Sequence, residues 1–277
     1  MSNERKGVNL RAPHEATEII GYAYRLYVRH FRAMFLIGLT TVPLQMLGAV
    51  VQDRIGGDDG SLASLPIELA GALVTLIASG ALIFAVNDVA TGQPADFNRS
   101  LDAGFERFSA LLTTNLLSGV LTFLSIAAIP YFLVRRRFDA ACSVPYFAIR
   151  WNFSPQAVMI EGKRNWSALD ASALIVRGRW WRTLGVLALI ILVALVPLIA
   201  VGAATLLPTI AATTIASVGL ALVLPFIMGA QTLLYYDLRA RTMLAAAAGQ
   251  PLPTLEGTED VAPNVDETGQ PPDQRDQ

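Results

Sequence analysis

The sequence predicts an all-α membrane protein of about six transmembrane helices joined to three interfacial amphipathic helices. Three observations predict it. Thr183 to Tyr236 contains no Asp, Glu, Lys or Arg. A bilayer core of about 30 Å takes roughly 20 apolar residues as helix, so this stretch holds two crossings and a turn near Gly202 and Pro208. Only 16% of the 277 residues are charged while 53% are hydrophobic, whereas soluble domains carry about 25% charged residues. Finally, three Arg-bearing amphipathic stretches each run through aromatic residues into an apolar segment, as a helix lying in the interface plane does.

The first such stretch is EATEIIGYAYRLYVRHFR, Glu15 to Arg32. Glu18, Tyr22, Arg25, Arg29 and Arg32 fall on one helical side, and Ile19, Ala23, Leu26 and His30 on another. A first span over Phe31–Val51, with Pro43 inside it, and a second over Leu65–Val86 follow. Glu68 stands just after Pro66, where a helix start favours a carboxylate through its dipole. A proton or cation site is the functional alternative there.

The second amphipathic stretch, DFNRSLDAGFERFSALL (Asp96 to Leu112), sets Phe97, Leu101, Phe105 and Phe108 opposite Arg99, Asp102 and Glu106. It leads into a third span, Ala110–Val134, and a fourth, Ala140–Ile160. PYFLVR and PYFAIR recur 15 residues apart in this region, and Pro145 and Pro155 bracket Arg150. A fourth span would place Arg150 near the bilayer centre, at a cost of at least about 2.5–3.5 kcal/mol. A broken span with a charge inside it points to a binding site. Arg150 then faces inward toward an anion, with Glu161 close to the same face if the helix is regular. Alternatively, Arg150 snorkels to an interface.

The third stretch, NWSALDASALIVRGRWWR (Asn165 to Arg182), precedes a fifth span over Leu184–Leu206 and a sixth over Ile210–Tyr236. SLDAG (Ser100 to Gly104) and ALDAS (Ala168 to Ser172) match, and Pro43, Pro130 and Pro197 sit inside or at the end of the odd-numbered spans. These parallels predict a threefold pseudo-repeat of surface helix, span and return span. The last span ends in LLYYDLRAR, where Tyr235 and Tyr236 predict an aromatic belt at the headgroups, with Asp237, Arg239 and Arg241 just beyond.

Sixteen of the 21 Lys and Arg fall on the side of the amino end, residues 87–109, residues 161–182 and the tail. Both termini are therefore expected in the cytoplasm, with the chain in the plasma membrane. The run Arg135 to Arg137 breaks that pattern. From Pro251 onward the chain holds seven acids and one Arg and lacks aromatics, a composition expected to stay disordered. The expected organisation is a flexible segment 1–14, a helical membrane domain 15–248 and an acidic tail 249–277. No cleavable leader is read at the amino end, so the first span is expected to act as the insertion signal.

Several chemistries lack their residues. His14 and His30 are the only histidines and Cys142 the only cysteine, so a disulfide, a histidine metal site and a thiol nucleophile find no support. There is no phosphate-binding GxxxxGK[ST] loop and no GxSxG elbow. Basic residues hug the membrane, which argues against nucleic acid and for contact with lipid headgroups. No cofactor is expected.

VMIEGKRNWSALDASALIVRGRWWRTLGVLALII (Val158 to Ile191), together with LLYYDLRAR, resembles bacterial proteins related to the membrane domain of glycerophosphodiester phosphodiesterases. That pattern has a span ending in Glu, then A-L-x-R-S-x-x-L-x-x-G, an aromatic and basic entry to the next span, and a final Y-Y-D-L-R-x-R. Glu161, Ala168, Leu169, Ser172, Gly178 and Tyr235 through Arg241 match. Ala171 stands where the family has Arg, and the following Leu is displaced to Leu174, so no role resting on that Arg carries over. The match covers the last half of the chain well and the first half loosely. The resemblance implies a polytopic helical domain without phosphodiesterase activity, which in such relatives belongs to a separate soluble barrel.

The expected function is a non-enzymatic membrane module that scaffolds or regulates the lipid surface or a protein partner, through its surface helices or acidic tail. The alternative is a small-molecule or lipid transporter using the broken fourth span.

Overall fold

A computed structural model describes residues 15–55, 60–127, 143–203 and 209–248. The expected tail, Pro130, the run Arg135 to Arg137 and the first PYF repeat lie outside them. Among the described residues every element is an α-helix: α1 (Ala16–Arg29), α2 (Phe31–Leu39), α3 (Val42–Ile55), α4 (Gly60–Ala90), α5 (Phe97–Glu106), α6 (Phe108–Ala127), α7 (Ser143–Trp151), α8 (Ser154–Glu161), α9 (Trp166–Val176), α10 (Trp180–Ala203) and α11 (Thr209–Ala247).

Among the described residues five segments are long and apolar enough to cross a membrane: Phe31–Val51, Leu65–Ala90, Phe108–Ala127, Trp180–Ile199 and Ala211–Ala247. The expected fourth span, Ala140–Ile160, is not among them. Its described part is two short helices, α7 and α8, broken between Trp151 and Ser154. Pro155 stands in the first turn of α8, where its missing N–H costs nothing. The first span also bends, between α2 and α3, with Pro43 at the start of the second piece.

Large side chains on the long helices point away from the bundle: Leu116 and Phe123 on α6, and Val196 and Ile199 on α10, are more than half exposed. An apolar surface of that extent is suited to lipid acyl chains and ill suited to water.

Between the helices the packing relies on small residues, since burying apolar surface gains nothing over lipid and close van der Waals contact does the work. A Cβ built on Gly38 of α2 would stand 2.5 Å from the carbonyl oxygen of Ala221 in α11. Pro225 lies one helical step of four residues beyond Ala221 and lacks the N–H that would occupy that carbonyl. The two backbones meet where the helix ladder is open. In the same way, a Cβ on Gly104 of α5 would stand 2.8 Å from the carbonyl oxygen of Ile77 in α4.

The three expected surface helices have different fates. Asp96 caps α5, accepting the Arg99 N–H at 2.9 Å, and the helix leaves Phe105 and Glu106 exposed. α1 carries a reciprocal cap between Glu15 and Glu18 and packs along α11. Ile19 joins the cluster around Leu234, Tyr235 and Leu238, and the Tyr27 hydroxyl donates to the Leu222 carbonyl at 2.8 Å. Burial pushes the Tyr27 phenol up to about 12. α9 is a core helix instead of a surface one: Ala168, Leu169, Ala171, Ser172, Ala173, Ile175 and Val176 are all buried. Its weak one-sidedness in sequence reflects neighbours on most sides.

Candidate functional site

One end of the bundle gathers the carboxyl ends of α4, α8 and α11 and the amino ends of α6 and α10. The residues joining them are those of Tyr235 to Arg241. Tyr235 is fully buried, and its hydroxyl donates to Glu161 at the end of α8, at 2.5 Å. The same carboxylate receives the Lys163 ammonium at 2.9 Å and Arg239 Nε at 3.5 Å. Tyr236 donates to the side-chain oxygen of Asn87 on α4. Asp237, 3% exposed, receives Arg182 of α10 at 3.2 Å and Arg241 of its own helix at 3.0 Å. Arg179 donates to the Arg241 carbonyl at 3.1 Å and the Thr242 hydroxyl at 3.3 Å. Beside them Asp88 pairs with Arg99 of α5 at 3.6 Å.

This arrangement corrects the expected aromatic belt. Tyr235 faces α8 and the Phe153 ring, not headgroups. The helix also continues to Ala247, well past the two tyrosines. The motif is a latch in which Tyr235 and Arg239 reach α8, Tyr236 reaches α4 and Asp237 reaches α10.

Burial alone would raise the Glu161 carboxyl; hydrogen bonds from Tyr235 and Lys163 and the charges of Arg239 and Lys163 outweigh it, holding it below the ordinary carboxylate range. An anionic carboxylate so saturated is poorly placed to take a proton from a substrate.

Arg150 and Glu161 do not share a face. The break at Asn152 and Phe153 puts them on separate helices, α7 and α8. The Arg150 guanidinium stands 5.9 Å from the Tyr146 ring centroid. The Arg150 carbonyl accepts from Ser172 Oγ at 2.7 Å, and the same hydroxyl accepts the Phe153 N–H at 3.1 Å. Ser172 thus holds the break open by satisfying the backbone groups it frees. Arg107 of the α5–α6 corner does the same for the end of α8, donating to the carbonyls of Val158 (3.0 Å) and Met159 (2.6 Å). Gly162, with φ of 70°, then turns the chain in the left-handed conformation that ends helices.

Glu68 is not at a helix start. α4 begins at Gly60 and continues through Pro66, so the dipole argument does not apply. Glu68 is exposed beside a cavity of about 360 Å³ whose wall includes Gln45, Thr75 and Thr213.

Sequence reasoning singled out Ser172 only as part of a pattern and missed its role at the break, and it missed Arg107 and a second cavity altogether. This cavity, of about 380 Å³, lies among α4, α6, α7, α8 and α11 and is lined by Ser79, Asn115, Asn152, Gln156 and Gln231, among others. The signal available for it was the neutral amides interrupting otherwise apolar segments. Among the described residues no group of three or more His, Cys, Asp or Glu is placed to hold a metal ion. No family model, no curated protein and no solved structure matches the chain.

Proposed function

We infer that the chain is a non-enzymatic integral membrane module that organises anionic lipid headgroups at its latched end, which faces the cytoplasm. The observation that carries this is the pairing of Glu161 and Asp237 with Tyr235, Arg239, Arg182 and Arg241. The ionisable residues that a catalyst would present to a substrate join helices to one another instead. Arg164 is exposed next to the Glu161–Lys163 pair, Arg25, Arg29 and Arg32 are exposed along α1 and the start of α2, and a basic residue near an anionic surface contributes about 1 kcal/mol. α1 and α5 are the interfacial helices in this account, and both termini are cytoplasmic. Kinship with the membrane domain of glycerophosphodiester phosphodiesterases is supported by the mutual contacts of the residues that carry the resemblance. The threefold pseudo-repeat is supported by Gly104 and Ser172, which occupy the same place in the two matching segments and each contact the backbone of a neighbouring element.

Nanodiscs test the proposal. The chain should melt at a higher temperature in a phosphatidylglycerol-containing bilayer than in pure phosphatidylcholine, and Arg29→Gln with Arg164→Gln should narrow the gap. Equal melting in both bilayers would refute it. The break between α7 and α8 beside a polar cavity favours transport as the second reading. Proteoliposome flux that vanishes in Arg150→Ala, with the melting point unchanged, would install it in place of the first.

A further inference from the structure

The 380 Å³ cavity is unusual for its wall. Ser79 of α4, Asn115 and Ser118 of α6, Gln231 of α11, and Asn152 and Gln156 around the α7–α8 break all line it. Among the described residues none of its lining side chains is acidic or basic. Three of the helices that build it are membrane-crossing candidates, and polar groups at such depth are tolerated where they line a cavity.

Two of these amides are incompletely satisfied. Gln156 is 1% exposed, and its Oε1 has no hydrogen-bond partner among the described residues. The Nδ2 of Asn152 is also buried and also lacks one. Leaving such a group unpaired costs about 1–3 kcal/mol, and a native structure keeps such a group for a reason. The orphans are complementary, one an acceptor and the other a donor. A hydroxyl-bearing group offers both a donor and an acceptor, the two kinds of partner these amides lack. The wall offers no countercharge, so an ion would lose its hydration without compensation. The volume far exceeds the roughly 30 Å³ share of one water and falls within the range of ligand pockets, about 300–1,000 Å³. Trp151 contributes an aromatic surface beside the amides, on which the C–H face of a sugar ring can rest.

We propose that this cavity binds an uncharged, hydroxyl-rich group the size of a monosaccharide, contacted by Gln156 and Asn152 on one wall and by Asn115 and Gln231 on the others. Such a group reaches the site either as a free sugar from water or as the glycosyl headgroup of a membrane lipid.

The test uses the full chain in phosphatidylcholine nanodiscs, with thermal unfolding as the readout. Free glucose is one probe, and monoglucosyl diacylglycerol in the bilayer is the other. Phosphatidic acid, which carries charge without hydroxyls, is the control. One of the two glucosyl probes should raise the melting temperature in a saturable way, and which one does so identifies the source. Gln156→Met keeps the shape and removes the orphan acceptor. Without ligand it should melt no lower than the unsubstituted chain, yet its affinity for the active probe should fall at least ten-fold. Asn115→Leu, on the opposite wall, should weaken binding independently and keeps the test decisive if Gln156→Met does not fold. A shift from neither glucosyl probe, an equal shift from phosphatidic acid, or undiminished affinity in both variants would overturn the proposal.

Discussion

Asp237 and Glu161 show how much a buried carboxylate depends on its partners. The Asp237 side chain is 1% exposed and meets two guanidinium groups. Removing a carboxylate from such a pair leaves charge without compensation at roughly 3–5 kcal/mol, so Asp237→Ala should lower unfolding free energy by that order in detergent denaturation. For Glu161 the effect of pH follows from its lowered pKa. A carboxyl held below its ordinary value binds its proton more weakly folded than unfolded, so its stabilisation is complete above the unfolded value. It is lost as pH falls through the folded one. Melting temperature against pH should therefore show an acid limb that Glu161→Gln flattens, and a Gln variant as acid-sensitive as the unsubstituted chain would dismiss this role. Glu161 and the Tyr235–Arg241 stretch stand out in the sequence as an abrupt change from apolar to charged. Their pairing does not, because Tyr235 and Glu161 lie 74 positions apart.

At the scale of the element, backbone carbonyls released by helix breaks find designated partners. Ser172 serves the break between α7 and α8, and Arg107 serves the end of α8. Ser172→Ala should cost about 1–3 kcal/mol, and hydrogen exchange of the Phe153 amide should quicken. Where no hydrogen bond is made, contact replaces it. Gly38→Val forces a side chain against Ala221 and should cost on the order of 1–3 kcal/mol, whereas Gly21→Ala, inside α1 and meeting nothing within 4 Å, should melt no lower and gain up to about 1 kcal/mol of helix propensity. Prolines in the sequence mark where a helix can break. They do not say which helix, here α9, supplies the hydroxyl that makes the break tolerable. That choice also explains α9 itself: buried among α6, α7, α8 and α11, it has no broad face left for lipid or water, and so it lacks the strong periodicity of α1 and α5.

Across the whole molecule the polar contacts define two ends. Lys163 pairs with Glu161, which pairs with Arg239, and Met243 follows one turn later on α11; Arg54 ends α3, beside the first half of α4. With Cys142 replaced by Ser, a membrane-impermeant maleimide on intact cells should label Arg54→Cys and spare Lys163→Cys and Met243→Cys. Labelling of the latter two alone would invert the topology. The charge count that predicts this orientation needs only the positions of Lys and Arg along the chain, and so it can be made without knowing which helices touch.

Sequence by itself determined the helical class and five of its six expected spans, each of which overlaps a long apolar helix among the described residues, because length, hydropathy and scarcity of charge are properties of a continuous stretch. Only the tertiary structure decided that Ala140–Ile160 contains a broken pair of short helices, that Tyr235 turns inward, and that neutral amides from distant segments share one cavity. These are outcomes of which helices pack together, and packing in a bilayer is set by shape and hydrogen bonding between side chains far apart in sequence, which no local pattern encodes.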